Sequence, residues 1–193
     1  MTADEITKNK TIGKQTMGRK VTVARHEAGH VVAYHHFGRE FQSVSIIPKE
    51  TNKETHLGRC IPFPQDHLQN STEIALTEKT LLTEWMIVAC AGVAAEMLWL
   101  PKDRPVKDWM NQSDVLPLWR CYSDRYGINA SLPWAGGCWL EAERLMQQHH
   151  KAVERLAEAL LDQPIMSGAE AVGIVRSAKT SSDRISSNKI SCS

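Results

Sequence analysis

The stretch that most restricts what this chain can fold into is residues 21–37, VTVARHEAGHVVAYHHF. Its apolar residues recur at helical spacing, Thr22 or Thr16 offers a cap and Gly38 a stop, so a helix is expected there. Inside it stand His26 and His30, with Glu27 directly after the first histidine. Residues four apart share a helix face, with about 5–6 Å between their β-carbons. Two imidazoles so placed can converge on one zinc ion, Zn2+. Glu27 projects toward the same point, where it can serve as the general base for a metal-activated water whose pKa is lowered toward about 7. Gly29 costs about 1 kcal/mol of helix propensity against alanine, which a close approach by another backbone or by the metal would explain.

An HExxH pattern also arises by chance, and two histidines do not complete a catalytic zinc site, which takes three protein ligands and leaves a position open. Periodicity and composition leave the third ligand among Glu96, Asp103, Asp108, Asp114, Asp124, His56 and His67. An acidic residue near a helix start mildly favours Asp114, because neighbouring groups can then fix its geometry. His35 and His36 read as surface residues at the negative end of the helix dipole.

Along the rest of the chain, residues 1–15 are polar and lysine-rich and are expected to form a flexible lead-in. Residues 42–47 alternate polar and apolar up to Pro48, as a half-buried strand does, and residues 57–61 suggest a second strand. Helical spacing returns over 71–98 and 113–126, with Gly127 closing the latter. After a flexible LPWAGG segment, 139–161 carries Leu145, Val153, Leu156 and Leu160 on one stripe, expected to face the core. Ser167 and Glu170 form a capping box for a short last helix to about Val175. Residues 177–193 have too little apolar mass to order themselves. The expected architecture is mainly α with a small β-sheet, an α+β domain over residues 16–176.

Charge narrows the partners. With 23 basic and 22 acidic residues, the formal charge is +1, and no basic stripe interleaved with aromatics points to nucleic acid. The start, MTADEITKNK, lacks the apolar core of a cleavable signal. The apolar run over 85–100 carries Glu96 and reads as a buried helix, so no membrane span is expected. Cys60, Cys90, Cys121, Cys138 and Cys192 include no CxxC pair; they read as reduced thiols in a cytoplasmic protein, all but Cys192 as small core residues.

Taken together, ARHEAGHVV at 24–32, VSIIPK at 44–49, CAGVAAEML at 90–98, NQSDVLPLWRCYSDRYG at 111–127 and MSGAEA at 166–171 resemble the peptidase domain of the FtsH family of ATP-dependent zinc metalloproteases. The resemblance covers about residues 20–176. It implies an FtsH-like zinc peptidase fold with the HExxH helix in the core and cleavage of unfolded or flexible polypeptides. It places the metal ligands on His26, His30 and Asp114 and the catalytic base on Glu27. Glu96 then takes a structural part, or one supporting a ligand.

These 193 residues contain no Walker A motif or ATPase domain, so the implied enzyme is a zinc endopeptidase without an ATPase of its own, served by a separate ATPase or adaptor. The family's paired glycines before the AAE run appear as Ala91-Gly92, and Leu116-Pro117-Leu118-Trp119 replaces the small residues after the aspartate. Trp109 and Trp119 are expected to crowd the metal, and the 101–113 loop to act as a lid or plug. Those features motivate a competing reading, a non-catalytic zinc-binding interaction module. For the peptidase, an extended substrate is expected to add to an edge strand at 44–47.

Overall fold

Helix α1 (Ala3–His36) carries the histidine motif and is longer than the 21–37 segment predicted, its backbone continuing helically through the expected lead-in. The computed structural model describes residues 3–50, 55–56, 58–61, 79–99 and 109–187. Thr22 is no cap: its hydroxyl donates to the Gly18 carbonyl one turn back, within the helix. The predicted stop is where it was expected. Gly38 has φ 64°, its N–H donates to the His35 carbonyl, and Arg39 N–H donates to the Tyr34 carbonyl, a Schellman closure.

Strands β1 (Ser43–Ser45), β4 (Arg59–Ile61) and β5 (Ile165–Ser167) form an antiparallel sheet in the order β4-β1-β5, while β2 (Lys49–Glu50) and β3 (Thr55–His56) form a separate pair. Val44 lies opposite Cys60 on one side and Met166 on the other. The edge-strand expectation for 44–47 is therefore wrong for β1, which is the centre strand. Both rows of its backbone groups are taken, the second by a strand some 120 residues later whose pairing no local pattern reveals.

Helix α2 (Lys79–Met97) is apolar on every side, and by length and composition it could cross a membrane. In the structure it is a core helix: Leu82 and residues 86–95 are buried, and it packs against α1 and, further along, against α4 (Ile128–Gln148). The N-terminal part of the predicted 71–98 helix, up to residue 78, lies outside the described residues, as do the 101–108 part of the expected lid and Cys192. Cys90 and Cys138 are buried, as expected of core thiols, and burial pushes Cys138 up to about 12. Cys60 and Cys121 are only partly so.

Helix α3 (Leu116–Tyr126) starts later than predicted, with Val115 as its cap residue and Pro117 in its first turn, where a missing N–H costs no helical bond. The LPWAGG segment is helical and belongs to α4, contrary to the flexible loop expected of it. Tertiary packing overrides the poor propensity of Pro133, Gly136 and Gly137. Trp134 stacks on Tyr122 of α3 at 3.8 Å and 8°, its indole N–H donates to Thr83 of α2, and Ala135, Cys138 and Trp139 are buried.

The predicted 139–161 helix is broken at His149, after which α5 (His150–Asp162) continues. Its stripe of Leu145, Val153, Leu156 and Leu160 is buried as expected, and α5 packs against α1. The capping box is present: Ser167 N–H donates to Glu170 Oε2 at 2.9 Å and Glu170 N–H to Ser167 Oγ at 3.3 Å. Helix α6 (Gly168–Ser187) outruns the predicted end at Val175, because Ala171, Val175 and Ala178 extend one buried stripe.

Candidate metal centre

The site lies where α1 and α2 cross. Gly29 makes the crossing close: a β-carbon there would stand 2.4 Å from the Ala91 carbonyl oxygen and 2.7 Å from Ala95 Cβ. Of the two explanations for a mid-helix glycine, approach of another backbone is the one observed. The crossing puts His26 and His30 over Gly92 of α2, where a β-carbon would lie 2.7 Å from both Nε2 atoms.

Both imidazoles are held from α2. His30 Nδ1 donates to the Val88 carbonyl at 2.9 Å and His26 Nδ1 donates to Glu96 Oε1 at 2.7 Å. A carbonyl and a carboxylate only accept, so both Nδ1 atoms carry the proton and the neutral rings present Nε2 lone pairs. The two Nε2 atoms are 3.0 Å apart, and Asp114 Oδ2 stands 3.5 Å from one and 3.6 Å from the other. With both rings neutral, three acceptors converge with no donor among them.

That triangle fits a metal ion. Ligation at about 2.0–2.1 Å in a tetrahedral arrangement separates donor atoms by about 3.3 Å, close to the three distances found. Two imidazoles and one carboxylate are also a common zinc ligand set. Among the described residues, His26, His30 and Asp114 are the group of this kind whose ligand atoms all lie within 4.8 Å of one another. Asp124 is exposed on α3 and outside the cluster. Asp103, Asp108 and His67 fall outside the described residues, and nothing is described of the His56 side chain. Glu96 touches His26 on the side away from the cluster's centre, which fixes the ring's tautomer and direction.

The surrounding carboxylates favour a proton on His26. Burial works against a charged His26, but hydrogen bonds to Asp114 and Glu96 and the nearby Glu27 charge outweigh it, raising its pKa to about 9. Asp114 answers in the other direction: despite the opposing effect of burial, the two histidines hold its carboxyl well below the usual carboxylate range. Its side chain is 47% exposed, so water screens part of that attraction.

Glu27 is 4% exposed, and its Oε2 has no hydrogen-bond partner. Burial raises its pKa, partly offset by His30 and His26. It opens onto a cleft of about 360 Å3 shared with His30, Asp114, Tyr34, Cys60, Trp85 and Leu118. Gly58, just before β4, presses against the Glu27 side chain; a β-carbon there would be 2.5 Å from Oε1. Trp109 and Trp119, expected to crowd the metal, are partly buried against the core and are not among the residues lining this cleft. Trp109 instead stacks on Trp139 at 4.9 Å. Sequence reasoning missed Gly58, Cys60 and the Val88 carbonyl; the glycine inside α2, noted only as a departure from a family pattern, was the one available signal for Gly92.

No family model matches the chain, and no curated protein matches it. What stands is a mainly helical protein with a three-residue cluster able to coordinate a metal ion such as Zn2+, consistent with a zinc-protease type of fold.

Proposed function

We propose that the chain is a zinc-dependent endopeptidase domain of FtsH-like type, acting on unfolded or flexible polypeptides. The observation that carries the proposal is Glu27: a buried carboxylate with an unpartnered oxygen, opening onto the cleft that His30 and Asp114 share. A purely structural metal has no use for such a group. His26, His30 and Asp114 would hold the ion, which when bound supplies a Lewis acid for the peptide carbonyl and acidifies water.

The chain's own residues account for the rest. Glu27, its basicity increased by burial, takes the proton of the attacking water and passes it to the leaving amine. Glu96 and the Val88 carbonyl keep both imidazoles aimed while this happens. Among the described residues β4 pairs only with β1, so its outer edge, with Gly58, Arg59 and Cys60 beside the cleft, replaces β1 as the strand an extended peptide joins. An edge that binds main chain favours extended, unfolded substrates, and a separate ATPase or adaptor would supply them from folded proteins.

The test is hydrolysis of a fluorescently labelled, intrinsically unfolded protein by the zinc-loaded chain and by Glu27→Gln. Cleavage by the wild type, reduced at least about 100-fold in the variant, is expected of a general base. Zinc binding by both with cleavage by neither refutes the peptidase and leaves the zinc-binding interaction module.

A further inference from the structure

The face of α4 turned away from the core carries a pattern that the candidate metal centre does not use. Leu132 and Leu140 are 53% and 65% exposed, two large apolar side chains open to solvent on one helix. Between them lie Gly136 and Gly137, where a β-carbon would meet nothing within 4 Å. Each glycine costs a helix about 1 kcal/mol against alanine. Elsewhere the crossing of α1 and α2 explains such a glycine; here no described residue does.

We infer that this face is where a second copy of the chain docks, α4 against α4, antiparallel about a two-fold axis at Gly136. The spacing is self-complementary. Leu132 and Leu140 stand four residues either side of Gly136, so a two-fold axis there brings each onto the other's counterpart, as an isologous contact requires. Two glycines at the centre let the backbones approach, and the helix dipoles oppose favourably.

Charge agrees with the same axis. Seven residues beyond Gly136 stands Glu143, and seven before it Asn129, in the first turn of α4. That first turn holds no acidic residue, and its cap, Gly127, has no side chain to offer. The two-fold axis sets the Glu143 carboxylate of each copy against the uncapped, positive helix start of the other. A single helix pair buries less than a standard interface of about 1,600 Å2, so the dimer is concentration-dependent.

Sedimentation equilibrium across a wide concentration range tests this on the full chain. The expected mass rises from 21.7 kDa toward twice that value. Leu140→Glu should weaken association at least 10-fold and Glu143→Lys by a smaller factor, whereas Ile165→Glu, an exposed apolar residue on β5, should change nothing. Circular dichroism confirms that each variant is folded. Under mild oxidation Gly136→Cys should cross-link to itself, and Leu132→Cys should cross-link to Leu140→Cys on mixing, above the wild-type background. A monomer at every concentration overturns the inference and leaves the face to another partner. A dimer indifferent to Leu140→Glu, or one without the Gly136→Cys cross-link, overturns it equally.

Discussion

Two glycines at one helix crossing should separate fold stability from metal affinity. In Gly92→Ala the new β-carbon would stand 2.7 Å from both Nε2 atoms, against about 3.4 Å for ordinary contact, a shortfall of about 0.7 Å. The rings can yield only by loosening their bonds to Glu96 and Val88. A metal site tolerates about 0.2 Å of displacement, and losing the outer support of a ligand costs about 10–100-fold in affinity. Gly92→Ala disturbs both rings at once, so zinc affinity should fall about 100-fold, or about 2.7 kcal/mol. The metal-free fold gains about 0.5–1 kcal/mol of helix propensity, roughly offsetting the strain. Gly29→Ala meets backbone instead, 2.4 Å from the Ala91 carbonyl oxygen, and the helices must part. Overpacking of about 1–3 kcal/mol less the propensity gain of about 1 kcal/mol leaves a net loss of up to about 2 kcal/mol. Urea unfolding in excess chelator measures stability, and competition with a chromophoric chelator measures affinity. Zinc binding by Gly92→Ala within threefold of wild type, or a stability loss equal to that of Gly29→Ala, refutes the assignment of Gly92 to the floor of the metal centre.

Glu96→Gln should lower zinc affinity about 10–100-fold and move the metal-free His26 pKa down from about 9, followed by NMR; an unmoved titration contradicts the role given to Glu96. The metal-free fold should weaken as pH rises. His26, with a folded pKa raised above about 6.5, contributes stability fully present below pH 6.5 and lost through about pH 9, on the order of 2–3 kcal/mol. Glu27, whose pKa burial also raises, acts in the same direction, and Asp114, with its pKa depressed, contributes stability that is lost only in acid. Flat chelator-treated melting temperatures between pH 6.5 and 9.5 contradict this. Trp134→Ala removes the stack on Tyr122 and the bond to Thr83 and should cost about 2–3 kcal/mol in urea unfolding, less than a fully buried tryptophan; Trp134→Phe should recover most of it.

Local chemistry was legible in the sequence and long-range geometry was not. The i,i+4 histidines, the Gly38 stop and the Ser167–Glu170 cap each depend on residues a turn apart, and each is found as read. Asp114 lies 84 residues beyond His30, and residue types alone left it among seven candidates; a family resemblance singled it out. The centre position of β1 depends on β5, brought back by four described helices, α2 to α5, so alternation could suggest a strand but not its neighbours. LPWAGG misled for the same reason, since propensity counts Pro133 and two glycines against a helix while the Trp134 stack is invisible until α3 is placed.

The helix that fixes the site is not the one that bears the motif. Glu96, the Val88 carbonyl and Gly92 are all on α2, and each touches or faces an imidazole of α1. Asp114 precedes α3, which the Tyr122–Trp134 stack fastens to α4, and Trp134 in turn donates to Thr83 of α2. The three side chains of the cluster therefore take their positions from one buried scaffold, with His26 within ion-pair distance of both Glu96 and Asp114. A structural zinc site is closed by four protein ligands and supplies folding energy outright. Among the described residues three groups able to hold a metal converge, the buried Glu27 oxygen beside them is unpartnered, and the surrounding fold stands on its apolar core. Three convergent groups beside an unpartnered buried carboxylate are what the proposed base chemistry requires, and the comparison of wild type with Glu27→Gln separates it from a module that only holds metal.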